Sequence, residues 1–368
     1  MALTAIFAIC VAVLAVQVIY FSVFLISFGK DRRNPQTNVA ASVSVIVCAH
    51  DEEENLRQLV PVLLSQDYGN FEVIVVNDRS NDGTYDYLLK TTSENPRVRM
   101  VTVRDTPKHM NGKKFALTMG IKAAKNDWVL LTDADCRPGP HWISEMSQHI
   151  RDDKSFIIGF SPYEKHPGFL NSFIRFEAFV TAIQYFGFAL SGRPYMGVGR
   201  NLAYRRSLFL ESKGFNNHLD VLGGDDDLFV NEHATSENVS VATGSGVLVR
   251  SVPKKTWSEY FHQKLRHLSV GAKYKFSDRI LLGLFSVTWI LSLFTWIALP
   301  FIGPYQTIVG ALILLRVIML YVLFNVASKR LGEPFEEWKV PFLDFIYGFY
   351  YLVAGPIALV TKRVRWKI

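Results

Sequence analysis

DWVLLTDAD (127–135) is an apolar run of buried-strand length that ends on two carboxylates, Asp133 and Asp135. Two runs upstream, VSVIVCAH (43–50) and FEVIVVND (71–78), share its make-up: β-branched residues first, polar ones at the exit. Residues 52–66, 83–91 and 113–125 read as helices, and Asn81-Asp82-Gly83 punctuates the exit of the second strand. Strands alternating with helices predict an α/β fold with a mostly parallel sheet covered on both faces. Such sheets bind ligands beyond the carboxyl ends of their strands. The polar residues collect there: His50, Asp51, Glu52 and Glu53 after the first strand, Asp78, Ser80 and Asp82 after the second, then Asp133 and Asp135. Helix capping accounts for one carboxylate at a strand end. Groups at three strand ends predict a shared chemical edge. In Asp133-Ala134-Asp135 an extended backbone would put both carboxylates on one side. Hard divalent cations such as Mg²⁺ and Mn²⁺ take oxygen ligands of this kind and share them with substrate phosphates.

Away from this middle the chain changes character. It has 368 residues, 49% of them hydrophobic, with the apolar ones concentrated at the two ends. Residues 2–28 carry no charge and suffice to cross a bilayer. With no basic stretch before them and no small-residue cleavage site, they are expected to anchor the chain rather than be removed. Residues 280–302 and 305–326, split by Gly303 and Pro304, predict a membrane hairpin. Lys30, Arg32 and Arg33 follow the first segment, Lys273, Lys275 and Arg279 precede the hairpin, and Lys329 and Arg330 follow it. The positive-inside rule then predicts a multi-pass protein of the cell membrane with its central domain in the cytoplasm. The last apolar stretch, 340–360, breaks the pattern, because a full crossing would put Lys362, Arg363, Arg365 and Lys367 outside. Its Asp344, Gly348, Gly355 and Pro356 point to a re-entrant or interfacial segment. Arg316, inside the third segment, is expected to snorkel, to pair with Asp344 or to hold a lipid phosphate.

The net charge is +7, and its basic residues flank the apolar segments, which fits anionic headgroups or phosphorylated ligands and not nucleic acid. Cys10, Cys48 and Cys136 show no metal-ligand spacing. The Phe-rich stretch 167–190 reads as a core helix, or as an interfacial helix admitting a lipid. GGDDDLF (223–229) opens a further helix with more acid than capping requires, and repulsion among its carboxylates would raise a pKa, as suits a base.

Taken in order, these segments resemble the family 2 glycosyltransferases, in particular membrane-anchored members such as ceramide glucosyltransferases and poly-N-acetylglucosamine synthases. The resemblance runs over about residues 42–270 and implies the nucleotide-sugar-binding GT-A fold. CAHDEEENL (48–56) is similar to the family's first motif, and VVNDRSNDGT (75–84) to its second, which implies that Asp78, with His50 and Glu52 nearby, holds the nucleoside. NGKKFALTMGI (111–121) resembles the family's Gly-Lys helix, with Lys113 facing the diphosphate. LLTDADCRP (130–138) looks like its metal motif, with Asp133 at the ribose edge and Asp135 on the metal. GVGRNLAYRRSLF (197–209) is similar to a loop that lines the acceptor pocket, which brings in Gly199 and Asn201. Aligning GGDDDLF on Leu228 makes Asp225 the base, and sliding by one makes it Asp226. HQKLRHL (262–268) resembles the Q-x-x-R-W motif through Gln263 and Arg266, with His267 where tryptophan is usual.

The expectation is therefore an anchor (1–29), a catalytic domain (42–270) and a membrane hairpin with an interfacial or re-entrant segment (280–368). It would be an inverting transferase using Mg²⁺ or Mn²⁺ to move sugar from a nucleotide diphospho-sugar, UDP-linked by preference, to a lipid or lipid-linked glycan. A processive polysaccharide synthase is the alternative within the class, and a non-catalytic membrane protein that binds nucleotide sugars is the alternative outside it.

Overall fold

The structure is a computed structural model that describes residues 1–30, 41–107, 110–219, 221 and 223–360, with side chains as far as Ile357. Arg32, Arg33, Lys362, Arg363, Arg365 and Lys367 lie outside the described residues. Helix α1 (Ala2–Gly29) comes first, and a strand–helix alternation follows it. Its elements are β1 (Val43–Ala49), α2 (Glu53–Leu64), β2 (Phe71–Asp78), α3 (Thr84–Glu94), β3 (Val98–Val103), α4 (Gly112–Ala123) and β4 (Trp128–Asp133). Short elements β5 (Cys136–Pro138), α5 (Trp142–Ser147) and β6 (Phe156–Ile158) precede the long α6 (Phe169–Leu190). Then come β7 (Leu202–Arg205), α7 (Arg206–Glu211), α8 (Asp227–His233), β8 (Val239–Val241), β9 (Val249–Ser251) and α9 (Trp257–Gly271). The last three helices are α10 (Phe276–Ala298), α11 (Gln306–Leu331) and α12 (Val340–Val360).

The main sheet has seven strands in the order β3-β2-β1-β4-β7-β6-β8. β1 to β4 pair in parallel, while β7 runs antiparallel to both β4 and β6. Because side chains alternate along a strand, β1 feeds two cores. Val43, Val45 and Val47 face α2 and α5, and Ile46 faces α4 and α6. Register pairs Ala49 with Asn77 and Cys48 with Asp133, so the three polar exits meet at one edge.

Among the described residues five helices are long and apolar enough to cross a membrane: α1, α6, α10, α11 and α12. α6 is the exception in use, with 83% of its apolar window buried inside the protein. Phe176 stacks on Phe324 of α11 at 5.0 Å, and Phe188 meets Phe24 of α1 edge-on at 5.0 Å. It is a core helix between the sheet and the other four apolar helices. Those four form a bundle, which fits membrane association. In it, Gln17 donates to Thr288 Oγ1 at 2.7 Å, and Phe7 stacks on Tyr305 at the hairpin tip. Arg316 reaches Asp344 through two hydrogen bonds of 2.6 and 3.0 Å, its guanidinium 5.2 Å from the Trp289 ring centre. α12 runs unbroken past Gly348, Gly355 and Pro356.

The link between α11 and α12 clasps the catalytic half. Gly332 ends α11 in the left-handed region (φ 75°), where a Cβ would stand 2.1 Å from the Ser245 backbone nitrogen. Arg250 meets Glu333 at 2.5 Å, and Glu336 takes Arg175 at 2.9 Å and Lys165 at 2.6 Å.

Candidate active site

The loops that leave β1 and β2 are stitched together. His50 Nδ1–H donates to the Asp78 carbonyl (2.5 Å), and Asp51, at φ 55°, accepts from the Asn81 amide (2.6 Å). The Glu52 and Glu53 amides donate to Thr84 Oγ1 (3.0 Å) and Asp82 Oδ2 (3.1 Å). His50, Glu52 and Asp78 therefore share one wall. Asp78 is buried, and Arg79 folds back on it, Nε to Oδ1 at 2.8 Å. The Glu52 carboxyl is pushed up by burial, opposed by a 2.6 Å bond from Asn55, and pushed up further by the charges of Asp135 and Asp133.

Asp133 is the last residue of β4, but Ala134 and Asp135 form a turn and not extended backbone. The extended backbone expected across Asp-Ala-Asp is thus corrected. The chain turns here because Cys136–Pro138 must pair with Val249–Ser251. Even so, both carboxylates act on Glu52 and on Arg200.

Opposite them stands Lys113, at the start of α4, where Asn111 caps the helix by accepting from the Lys113 amide at 2.9 Å. Its Nζ lies 3.1 Å from Asp133 Oδ1 and 3.4 Å from Asp225 Oδ2. Crowding disfavours the lysine's charge, yet Asp133, Asp225 and Asp226 outweigh it and hold the pKa well above the usual lysine range. Burial would raise Asp133, and Lys113, Arg200 and Arg266 reverse that and lower it.

The three acids at 225–227 have three different partners. Gly223 (φ 91°) and Gly224 (φ 73°) make the left-handed turn that delivers them. Asp225, 7% exposed, faces Lys113. Asp226 caps α8, accepting from the Asp227 amide (2.8 Å) and the Gly199 amide (2.6 Å). Asp227 accepts from the Tyr274 hydroxyl at 2.7 Å. Burial, then the neighbouring acid, raises the pKa of Asp226, and that of Asp227 by more.

Gly199 therefore serves the site by holding Asp226. Asn201 does not face a ligand: it is fully buried, donating to the Phe160 and Val247 carbonyls (both 2.7 Å) and accepting from Trp142 Nε1 (2.9 Å). That corrects its expected place in the acceptor pocket. Between the two stands Arg200, which the motif reading passes over. It lies 4.6 Å from the Tyr163 ring centre, and its charge faces Asp133 and Asp135. A cation inside a glycine-rich loop was the available signal. On α9, Arg266 acts on Asp133, and the buried Gln263 Oε1 has no hydrogen-bond partner among the described residues. His267 is exposed to solvent within a crowded cleft. Desolvation there, then Lys264, Arg266, Arg200 and Lys113, push its pKa well below the usual range.

No group of three His, Cys, Asp or Glu side chains among the described residues is closed up as a metal site. Glu52, Asp133 and Asp135 nevertheless crowd negative charge together, which a divalent cation would relieve while filling its shell with water and substrate phosphate oxygens.

An α/β sheet whose carboxyl edge sets acids against lysine and arginine, mounted on an apolar bundle, defines a membrane-associated enzyme that handles a phosphate-bearing substrate. The comparisons agree on which. The family model described as "Glycosyl transferase family 2" matches residues 44–211, and that described as "Glycosyl transferase family group 2" matches residues 128–354, over half of the chain. The chain belongs to the family 2 glycosyltransferases, enzymes that act on nucleotide sugars. A dolichol-phosphate mannosyltransferase of Mycosarcoma maydis is 31% identical over 143 residues, 36% of this chain and 47% of that protein. One from Pyrococcus furiosus is 30% identical over 118 residues, 32% of each. The poly-beta-1,6-N-acetyl-D-glucosamine synthase of Staphylococcus aureus is 27% identical over 122 residues, 32% of this chain and 28% of that protein. The chain thus matches less than half the length of these relatives. The mannosyltransferase PcManGT from Pyrobaculum calidifontis, solved with GDP-Man and Mn²⁺, shares the fold end to end. Its TM-score is 0.64 at 18% identity, covering 98% of this chain and 100% of that one.

Proposed function

We propose that this chain is an inverting glycosyltransferase that moves a sugar from a nucleotide diphospho-sugar to a lipid or lipid-linked acceptor at the cytoplasmic face of the membrane. The observation that carries this is the position of Lys113 between Asp133 and Asp225. A diphosphate seated beside Asp133 competes for that ammonium and so frees Asp225, which takes the proton of an attacking hydroxyl. Asp226 is spent on capping α8 and on the Gly199 amide, which makes Asp225 the base. Asp78, His50 and Glu52 hold the nucleoside, and Arg266, Arg200 and Gln263 hold the phosphates. Asp135, with Asp133 and Glu52 beside it, holds Mg²⁺ or Mn²⁺. When bound, that ion neutralises charge on the diphosphate. The donor is a UDP- or GDP-sugar. A solved neighbour that holds GDP-Man and relatives named dolichol-phosphate mannosyltransferase support a GDP donor and a lipid acceptor beside the UDP reading. The apolar bundle beneath the cleft supports the lipid acceptor too.

The test is release of nucleoside diphosphate from a panel of UDP- and GDP-sugars by detergent-purified protein, with Mn²⁺ or EDTA, with and without membrane lipid. The expected result is release that needs metal, rises with lipid, and is lost in Asp135→Ala. Release indifferent to EDTA and to that change would sink the metal assignment, and release indifferent to lipid would favour a polysaccharide acceptor.

A further inference from the structure

Glu177 lies in the middle of the Phe-rich α6 and is only 2% exposed. A carboxylate in such a place is expensive unless it is paired and hydrogen-bonded. Its partners come from two other elements. Lys264 of α9, itself 8% exposed, puts Nζ 2.5 Å from Glu177 Oε2. Tyr351 of α12 donates to Glu177 Oε1 at 3.0 Å, and Thr181, one turn further along α6, donates to the same oxygen at 3.3 Å. One carboxylate thus joins the core helix, the last apolar helix and α9.

α9 is also the helix of Gln263 and Arg266. Two residues apart on a helix is about 200° around its axis, so Lys264 and Arg266 leave on opposite sides. Lys264 points into the core, and Arg266 turns its charge toward Asp133. The rotation of α9 is therefore set from behind. Aromatic packing on the same side, Tyr260 and Phe261 against Tyr350, fills space but does not lock an angle. Apolar side chains of matching volume generally hold such an interface as well as an ion pair does. What the pair and its tyrosine add is a direction.

We infer that Lys264 is a positioning residue: held by Glu177 and Tyr351, it fixes the rotation of α9 that aims Arg266 and Gln263 at the donor phosphates. The last apolar helix thereby bears on the affinity of the site through α9. The inference rests on the reading of that site as a nucleotide-sugar site.

The experiment uses the full chain in lipid nanodiscs and three variants: Tyr351→Phe, the pair removal Glu177→Leu/Lys264→Met, and the pair reversal Glu177→Lys/Lys264→Glu. Binding of free UDP and GDP is measured by calorimetry, and donor and acceptor KM, kcat and Tm alongside. Tyr351→Phe loses one hydroxyl and should keep its Tm within about 2 °C while weakening nucleotide binding roughly threefold. The pair removal should stay folded and raise donor Kd and KM about tenfold, with acceptor KM changed less than twofold. The reversal should recover part of that loss. Nucleotide Kd and donor KM unchanged in both Tyr351→Phe and the pair removal would overturn the inference, as would equal rises in donor and acceptor KM. Because nucleotide binding is read without turnover, a wild type that binds UDP or GDP but transfers nothing counts against the proposed function and not against this link.

Discussion

Lys113 bridges Asp133 at the exit of β4 and Asp225 just ahead of α8, and the different partners of Asp225, Asp226 and Asp227 give each a different expected response to substitution. Asp225→Asn should lower transfer by about 10²–10⁴-fold, the usual worth of a general base, with donor Kd unchanged within a few-fold. Asp226→Ala should act differently, weakening the α8 cap by about 1 kcal/mol and lowering Tm while retaining more of the activity. Single-turnover transfer, calorimetry and thermal melts separate the two, and a reversed ranking would move the base to Asp226. At this scale Asp78, Asp133 and Asp135 were legible because they stand at strand exits, and Asp225 to Asp227 because a helix start carries more acid there than capping requires. Asn201 was not, since its motif says nothing of the Trp142, Phe160 and Val247 groups that the fold brings to it. Arg200 was hidden for the same reason, because its partners are remote in sequence.

The elements that could be read in advance were those with local signals. β1 and β2 match their apolar runs, and α4 starts where Asn111 can cap it. The turn at Ala134–Asp135 had no local cue, because pairing with a strand more than a hundred residues away imposes it. α12 stays helical through residues that argued for a break. The clasp that holds the α11–α12 link carries its own pH signature. Burial raises Glu336, but the bond from Lys165 and the charge and bond of Arg175 pull its carboxyl down from 4.5 to about 2. A depressed folded-state pKa stabilises the fold above the unfolded value and is lost as pH falls toward the folded one. The Tm of the wild type should therefore fall more steeply between about pH 4.5 and 2 than that of Glu336→Gln. Parallel Tm curves for the two proteins over that window would remove the clasp from the pH response.

On the scale of the whole molecule, the bundle and the catalytic half share one core, in which Arg316 and Asp344 form a buried ion pair. Removing one partner leaves an uncompensated charge. Arg316→Met should thus lose about 3–5 kcal/mol, and Arg316→Met/Asp344→Leu distinctly less, as read from unfolding in detergent. A double variant no better than the single would show that the pair does not account for the loss. The shared core also bears on how the chain is made. α6 leaves the ribosome about a hundred residues before α11, whose Phe324 its Phe176 and Phe179 must meet. At 5–20 residues per second that is a wait on the order of ten seconds, with a row of phenylalanines short of their final partners. Newly made chain should therefore depend on a holding chaperone or on the membrane surface itself during that interval, and a chain cut after α9 would never leave it.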